Sequence, residues 1–382
     1  MRGRGTGVVS RLGTERNPLA KISNEARAYI QEESLLPDKV AVLVAGSWGT
    51  ALAQVLQENG HQTFIWTRNP RQAEEINNCH TNSKYLPDIT LPAGLRATTD
   101  MAEAVSGARA VILVATSSSM REVVRQAAPY IAEDMLLVHA TKGFERSSLK
   151  RMSQVIADEL PHYDAERICV LSGPSHAEEV SRRCPTTVVV ASADSEAAEA
   201  AQDLFINSYF RVYTNPDLLG VEISGALKNI IALGAGMSDG LGYGDNAKAA
   251  LLTRGLAEIT RLGIAMQANP MTFAGLSGIG DLVVTCTSRH SRNWRAGYML
   301  AQGKSTDEVL KEMGMVVEGI HTTKAAYQLA QDYQVTMPIT CELHAVLFSG
   351  KSPRAAVEDL MGRGRTHEIE EIVHSNGMKW MK

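Results

Sequence analysis

One ammonium group set in an apolar run is the first candidate for chemistry in this chain. Lys228 lies within Val221-Glu222-Ile223-Ser224-Gly225-Ala226-Leu227-Lys228-Asn229-Ile230-Ile231, whose spacing predicts a helix buried nearly all round. On such a helix Gly225, Asn229, Ala232 and Gly236 form one narrow stripe of small residues, where another backbone approaches closely. A lysine buried there is costly unless its head group reaches a carboxylate or a wet cleft. Two readings are open: a snorkelling or ion-paired lysine that only serves the fold, and a general acid and base. Asp281, behind the glycines of Gly275-Leu276-Ser277-Gly278-Ile279-Gly280, is expected to be held out by a tightly packed backbone, as a partner for Lys228 or for a hydroxyl. Ser291 suits a helix N-cap, and Arg292 offers a planar fork for a phosphate; a plain cap and a solvated charge are the alternatives. His176 and His290 lie close to these motifs, and a structural or exposed histidine is the plainer reading of both.

The bulk of the chain must position these groups. Its 382 residues suggest two domains, and 44% hydrophobic with 21% charged residues is ordinary for a soluble globular enzyme. With 38 basic against 42 acidic residues, the net charge of -4 argues against a dedicated nucleic-acid binder but allows a local basic cleft. Five scattered cysteines without a CxxC pair fit reduced thiols in the cytoplasm. No run of about 18 uncharged apolar residues marks a membrane span. Residues 1–37 read as a disordered extension ahead of the fold, with a transit peptide as the alternative.

From residue 38 to residue 216 the pattern alternates strand and helix, which predicts an α/β Rossmann-type, doubly wound sheet with ligands outside the carboxyl ends of its strands. Lys39 to Ala45 reads as a buried parallel strand that runs into Gly46-Ser47-Trp48-Gly49-Thr50, then a helix and the strand His61 to Thr67. Gly46 and Gly49 fill the second and third glycine positions of GxGxxG, where backbone N–H groups at a helix start meet a pyrophosphate. Val44 occupies the first position and breaks the fingerprint, and a turn that binds no nucleotide is the competing reading. No acid follows for the ribose; Arg68 is suited to a 2′-phosphate, so NADP is allowed. Thr141-Lys142-Gly143 and Ser172-Gly173-Pro174-Ser175-His176-Ala177 end two later strands and are expected to face the same crevice. From residue 217 to 382 long helical patterns dominate, so an all-α second domain is expected, with Lys228 at its root.

Gly46-Ser47-Trp48-Gly49-Thr50-Ala51-Leu52-Ala53, Ala140-Thr141-Lys142-Gly143, Ser172-Gly173-Pro174-Ser175, Ala226-Leu227-Lys228-Asn229, Gly278-Ile279-Gly280-Asp281-Leu282 and Ser291-Arg292-Asn293 together resemble the bacterial NAD(P)-dependent sn-glycerol-3-phosphate dehydrogenases. The resemblance spans nearly all of residues 38 to 370. It implies that Lys228 is the proton donor and acceptor at the carbinol carbon, with dihydroxyacetone phosphate and glycerol 3-phosphate as substrates for glycerophospholipid synthesis. It also implies Lys142, Gly173, Ser175, Asp281, Ser291, Arg292 and Asn293 as substrate-site residues, and Ser47, Trp48, Arg68, Lys142, Ala177, Arg292, Val316 and Glu318 as contacts of NAD(P)H. The family pattern begins Gly-Ala-Gly, so Val44 departs from it, as does the 37-residue extension. A dehydrogenase of another phosphorylated or carboxylated hydroxy substrate is the nearer alternative, and a non-catalytic nucleotide-sensing protein the more distant one. A homodimer, no metal and no membrane span complete the expectation.

Overall fold

The computed structural model describes residues 38–364; the expectation for residues 1–37 falls outside the described residues. Short runs, most of them rich in valine, leucine and isoleucine, form β1 (Lys39–Leu43), β2 (Gln62–Trp66), β3 (Arg96–Thr98), β4 (Ala110–Leu113), β5 (Leu136–His139), β6 (Cys169–Ser172), β7 (Thr186–Ala191) and β8 (Phe210–Asn215). They join in one sheet ordered β3-β2-β1-β4-β5-β6-β7-β8. The order reverses between β1 and β4, the place where such sheets open a crevice at their carboxyl edge. Neighbours pair in parallel except β6 and β7, which run antiparallel; continuous βα repetition in the sequence does not show this reversal.

Helices cover both faces, which explains why the central strands β4, β5 and β6 are buried without alternation, whereas β8 at the edge alternates. On β1, Val40 and Val42 pack toward one face with Leu52 and Val55 of α1 (Ser47–Glu58). Ala41 and Leu43 pack toward the other face, with Val123 of α4 (Met120–Ala127) and Val155 of α5 (Met152–Glu159). Between these lie α2 (Pro70–Cys79) and α3 (Met101–Val105), and α6 (Ala177–Ser181) and α7 (Ser195–Phe205) follow. The sequence carries the first strand on to Ala45, but β1 ends at Leu43; β4 and β5 likewise end at Leu113 and His139, ahead of the equally apolar Ala115 and Ala140. The backbone after these points leaves the sheet and lines the crevice instead.

After β8 the described residues carry helices alone: α8 (Leu218–Gly240), α9 (Asp245–Ala265), α10 (Pro270–Phe273), α11 (Asp281–Thr287), α12 (Arg292–Ala301), α13 (Thr306–Met313), α14 (Glu318–Asp332), α15 (Pro338–Phe348) and α16 (Pro353–Met361), with one π turn at Leu276–Gly280. Asp217 starts α8 by accepting a bond from Gly220 N at 2.9 Å. By length and composition α8 would pass as a membrane span, yet 89% of its apolar window is buried inside the protein. It is the centre of the helical half, touching α9, α11, α12 and α14.

The small stripe works as its spacing predicts. A Cβ on Gly236 would fall 1.9 Å from the Trp294 carbonyl oxygen, and one on Gly297 would fall 1.9 Å from the Leu233 carbonyl oxygen. Each helix therefore lays its backbone against the other's, a contact closed only by side chains of hydrogen size. At its other end α8 is fastened to the strand-bearing half through Glu222. That carboxylate accepts from Ser153 N (2.8 Å), Ser153 Oγ (2.7 Å) and Arg151 Nη1.

Candidate functional site

A crevice of about 790 Å³ opens at the carboxyl ends of β1, β4 and β5 and continues along α8 and the start of α12. Its walls at one end are the turn from Val44 to Gly49 with Arg68; at the other they are Lys142, Ser175, Lys228 and Ser291 to Asn293. Of the candidate catalytic, substrate-site and cofactor residues named from the sequence, Gly173 and Asp281 alone do not line it.

Lys228 is 5% exposed, and its Nζ donates to Asp281 Oδ1 and to Thr285 Oγ1, the latter at 2.7 Å. Asp281 is not held out: it is 1% exposed, as the first residue of α11 after the π turn. Its second oxygen accepts from Lys142 Nζ at 2.6 Å, so one buried carboxylate joins two ammonium groups from opposite halves of the fold. Burial works to raise the Asp281 carboxyl, but Lys142 and Lys228 outweigh it and hold it below the usual range. For Lys228 burial dominates, Asp281 partly reverses it and Lys142 adds to it, which lowers the ammonium to about 7. The group is thus poised to gain or lose a proton near neutrality.

The loop after β6 turns at Gly173, whose φ of 131° lies where a Cβ is disfavoured. This aims the Gly173 carbonyl at Ser175 Oγ, which donates to it at 3.0 Å, with Lys142 Nζ 3.4 Å away. Gly173 therefore supports two wall residues from behind. Ser291 caps α12 by accepting from Trp294 N at 3.2 Å, as its position in the sequence predicts. Arg292 stays exposed, with Nη1 donating to Val316 O at 3.2 Å. Asn293 is 8% exposed and spends its amide on the fold, donating to Asn229 Oδ1 and accepting from Gly319 N, each at 2.8 Å.

At the other end, α1 begins at Gly46 with no side-chain cap, and its first internal bond runs from Thr50 N. The space around a Cβ on Gly46 is open, and one on Gly49 would lie 2.2 Å from the Val44 carbonyl oxygen. This is the cradle a dinucleotide pyrophosphate requires, with bare N–H groups at a helix start and no side chain in front of them. Val44 holds φ at 87°, an outlier for a β-branched residue, with Gly46 N donating back to its carbonyl at 3.0 Å. The conformation is the glycine one; the side chain rests half-buried against the core. Arg68 is exposed on the crevice wall, its guanidinium 5.8 Å from the centre of the Trp66 ring. Ser47 Oγ donates to Tyr85 O at 2.7 Å, Ala177 opens α6, and Glu318 accepts from Ser117 Oγ at 2.9 Å. Burial pushes the Glu318 carboxyl above its usual range.

The first half of the chain, residues 39–198, matches the family model described as NAD-dependent glycerol-3-phosphate dehydrogenase N-terminus, and residues 217–358 match the C-terminus model of that family. The chain belongs to the NAD-dependent glycerol-3-phosphate dehydrogenase family. It is 59% identical to glycerol-3-phosphate dehydrogenase [NAD(P)+] of Lysinibacillus sphaericus over 88% of this chain and 100% of that one. It is 58% identical to the Bacillus subtilis protein of the same name, over 88% and 98%. A crystal structure of glycerol-3-phosphate dehydrogenase from Coxiella burnetii superposes with a TM-score of 0.82 at 37% identity, covering 86% of this chain and 100% of that one. Membership in this family removes the non-catalytic alternative raised by Val44.

Two residues that sequence reasoning passed over belong to the same constellation. Thr285 stands four residues after Asp281 on α11, close enough to share Lys228; the i, i+4 spacing was the available signal. Ser117, in the turn after β4, reaches Glu318 across 201 residues of sequence, and no local pattern marks it.

Proposed function

We propose that the crevice carries out reversible NAD(P)H-dependent reduction of dihydroxyacetone phosphate to sn-glycerol 3-phosphate, for glycerophospholipid synthesis. The observation that carries this reading is the Lys228 ammonium, buried at the crevice wall, fixed by Asp281 and Thr285, and lowered to about 7. A nicotinamide held in this crevice would supply hydride chemistry at C2 of the substrate, in either direction. Lys228 gives its proton to the carbonyl oxygen as charge develops there, and takes one from the alcohol in oxidation. Asp281 keeps the ammonium aimed, and Lys142 keeps Asp281 ionised while adding positive charge near the substrate. Arg292, at the rim, forks onto the phosphate with the start of α12. Gly46, Ser47, Trp48 and Gly49 hold the pyrophosphate, Arg68 accommodates a 2′-phosphate, and Ala177, Val316 and Glu318 line the path of the cofactor.

In this reading residues 38–216 are the cofactor-binding part and residues from 217 onward the substrate-binding part. Five unpaired cysteines support a cytoplasmic enzyme. Exposed Met271, Ile279 and Val283 on the helical half support a homodimer, which light scattering tests. The decisive assay follows absorbance of NADH and NADPH in parallel with dihydroxyacetone phosphate. Lys228→Ala is expected to lose roughly 10²- to 10⁴-fold in rate while still binding NADPH. Turnover near the wild-type rate would remove Lys228 from the reaction.

A further inference from the structure

Two histidines in the crevice have no part in the reaction as derived. His176 follows Ser175 in the loop before α6, and His290 precedes Ser291 at the start of α12; both line the crevice with Lys228. Their ring centres lie 5.9 Å apart, tilted by 54°. The His176 Nε2 is buried without a hydrogen-bond partner. A buried orphan of this kind calls for an explanation, and one that lines a ligand crevice has an obvious candidate partner.

We propose that His176 is a specificity-determining residue whose Nε2 accepts a hydrogen bond from the terminal hydroxyl of the substrate, with the His290 ring fixing its orientation. The inference rests on the reaction proposed above. Its chemistry follows from the polarity of the wall. Lys228, Lys142 and Arg292 offer donors only, and they suit the phosphate oxygens and the carbonyl oxygen, which accept. A neutral His176 ring carries one lone pair, and with its proton on Nδ1 that pair sits at Nε2, which suits a donor. The donor on dihydroxyacetone phosphate is its terminal hydroxyl. Burial first, and then the Lys228 charge, hold the His176 ring below its usual range, against the opposing pull of Glu178 and Glu179, so the lone pair is kept at neutral pH.

A site built to bond a hydroxyl discriminates against the analogue that lacks it, because the analogue leaves the polar group unpaired. The test compares kcat/KM for dihydroxyacetone phosphate with that for hydroxyacetone phosphate, which carries a methyl group instead of the hydroxymethyl. In His176→Leu the preference for dihydroxyacetone phosphate is expected to shrink by about 10- to 100-fold relative to wild type, with the rate on hydroxyacetone phosphate little changed. His176→Gln, whose amide oxygen also accepts, is expected to keep part of the preference, and it carries the test if the leucine variant does not fold. Equal losses on both substrates in both variants would overturn the inference and leave His176 a packing residue. A preference that survives in both variants while NADPH binding weakens would overturn it too, and would give Nε2 to the nicotinamide carboxamide. If wild type failed to reduce dihydroxyacetone phosphate at all, the proposed reaction itself would fall, a result distinct from either.

Discussion

Replacing Asp281 by asparagine keeps the shape of the side chain and removes the one negative charge between Lys142 and Lys228. Two ammonium groups then face each other with nothing between them. Like charges about 4 Å apart repel by about 4 kcal/mol at an effective dielectric near 20, equal to roughly three pKa units and an upper limit here. The Asp281 attraction that now raises Lys228 is lost as well. In the wild type, reduction needs the protonated lysine, so its rate should fall as pH rises through about 7, while oxidation rises over the same interval. In Asp281→Asn both limbs should move to lower pH by about one to three units. Reduction at pH 7.5 should drop by about 10- to 1,000-fold and recover toward pH 5. The assay is initial rates of dihydroxyacetone phosphate reduction and glycerol 3-phosphate oxidation from pH 5 to 9. Breaking a buried pair costs about 3–5 kcal/mol of stability, so NADPH binding is measured alongside to show that the variant is folded. Limbs that stay at the wild-type pH, with only the height reduced, would refute the electrostatic reasoning and leave Asp281 a geometric support.

Two further predictions concern the frame. Val44→Gly should release backbone strain of about 1–3 kcal/mol, offset in part by the extra freedom of glycine in the unfolded chain, about 0.5–1 kcal/mol. NADPH binding followed by calorimetry should tighten several-fold with little change in melting temperature; weaker binding would show that the valine side chain serves the cradle. Gly297→Val places a branched side chain where even a Cβ meets the Leu233 carbonyl oxygen at 1.9 Å. Denaturant unfolding should reveal a loss of about 3 kcal/mol or more, since the two backbones must part; a wild-type midpoint would rule out the tight crossing.

The alternation of buried strands and helices carried the first half of the fold into the sequence, because each strand needs apolar residues on both faces. The ends of those strands were less legible. Val44, Ala45, Ala115 and Ala140 are as apolar as the residues before them, yet they leave the sheet to form the crevice. β3 has three residues, too few for a periodic signal, and the antiparallel β6–β7 pair depends on where a loop turns. At the site, the lysine in an apolar helix marked itself by the cost of burying charge. Asp281 was legible as a partner but not as a buried one, since a carboxylate can sink only when two cations come from elsewhere in the chain. Asn293 and Gly173 were legible as motif members, whereas their bonds to Asn229, Gly319, Ser175 and Lys142 exist only in three dimensions.

Helix α8 carries the acid–base group and is also the most enclosed element of the helical half. Elsewhere in proteins the moving parts of a site come from the weakly held segments, and local opening there costs little. Here the opposite arrangement ties Lys228 to the part of the molecule whose amide protons should exchange last. Heat cannot slacken this lysine before it melts the core, so activity and tertiary structure should vanish over one temperature interval. Any adaptation toward cold that works by loosening the enzyme must act on the crevice loops, at the Val44 turn or between Met315 and Glu318, and leave α8 untouched.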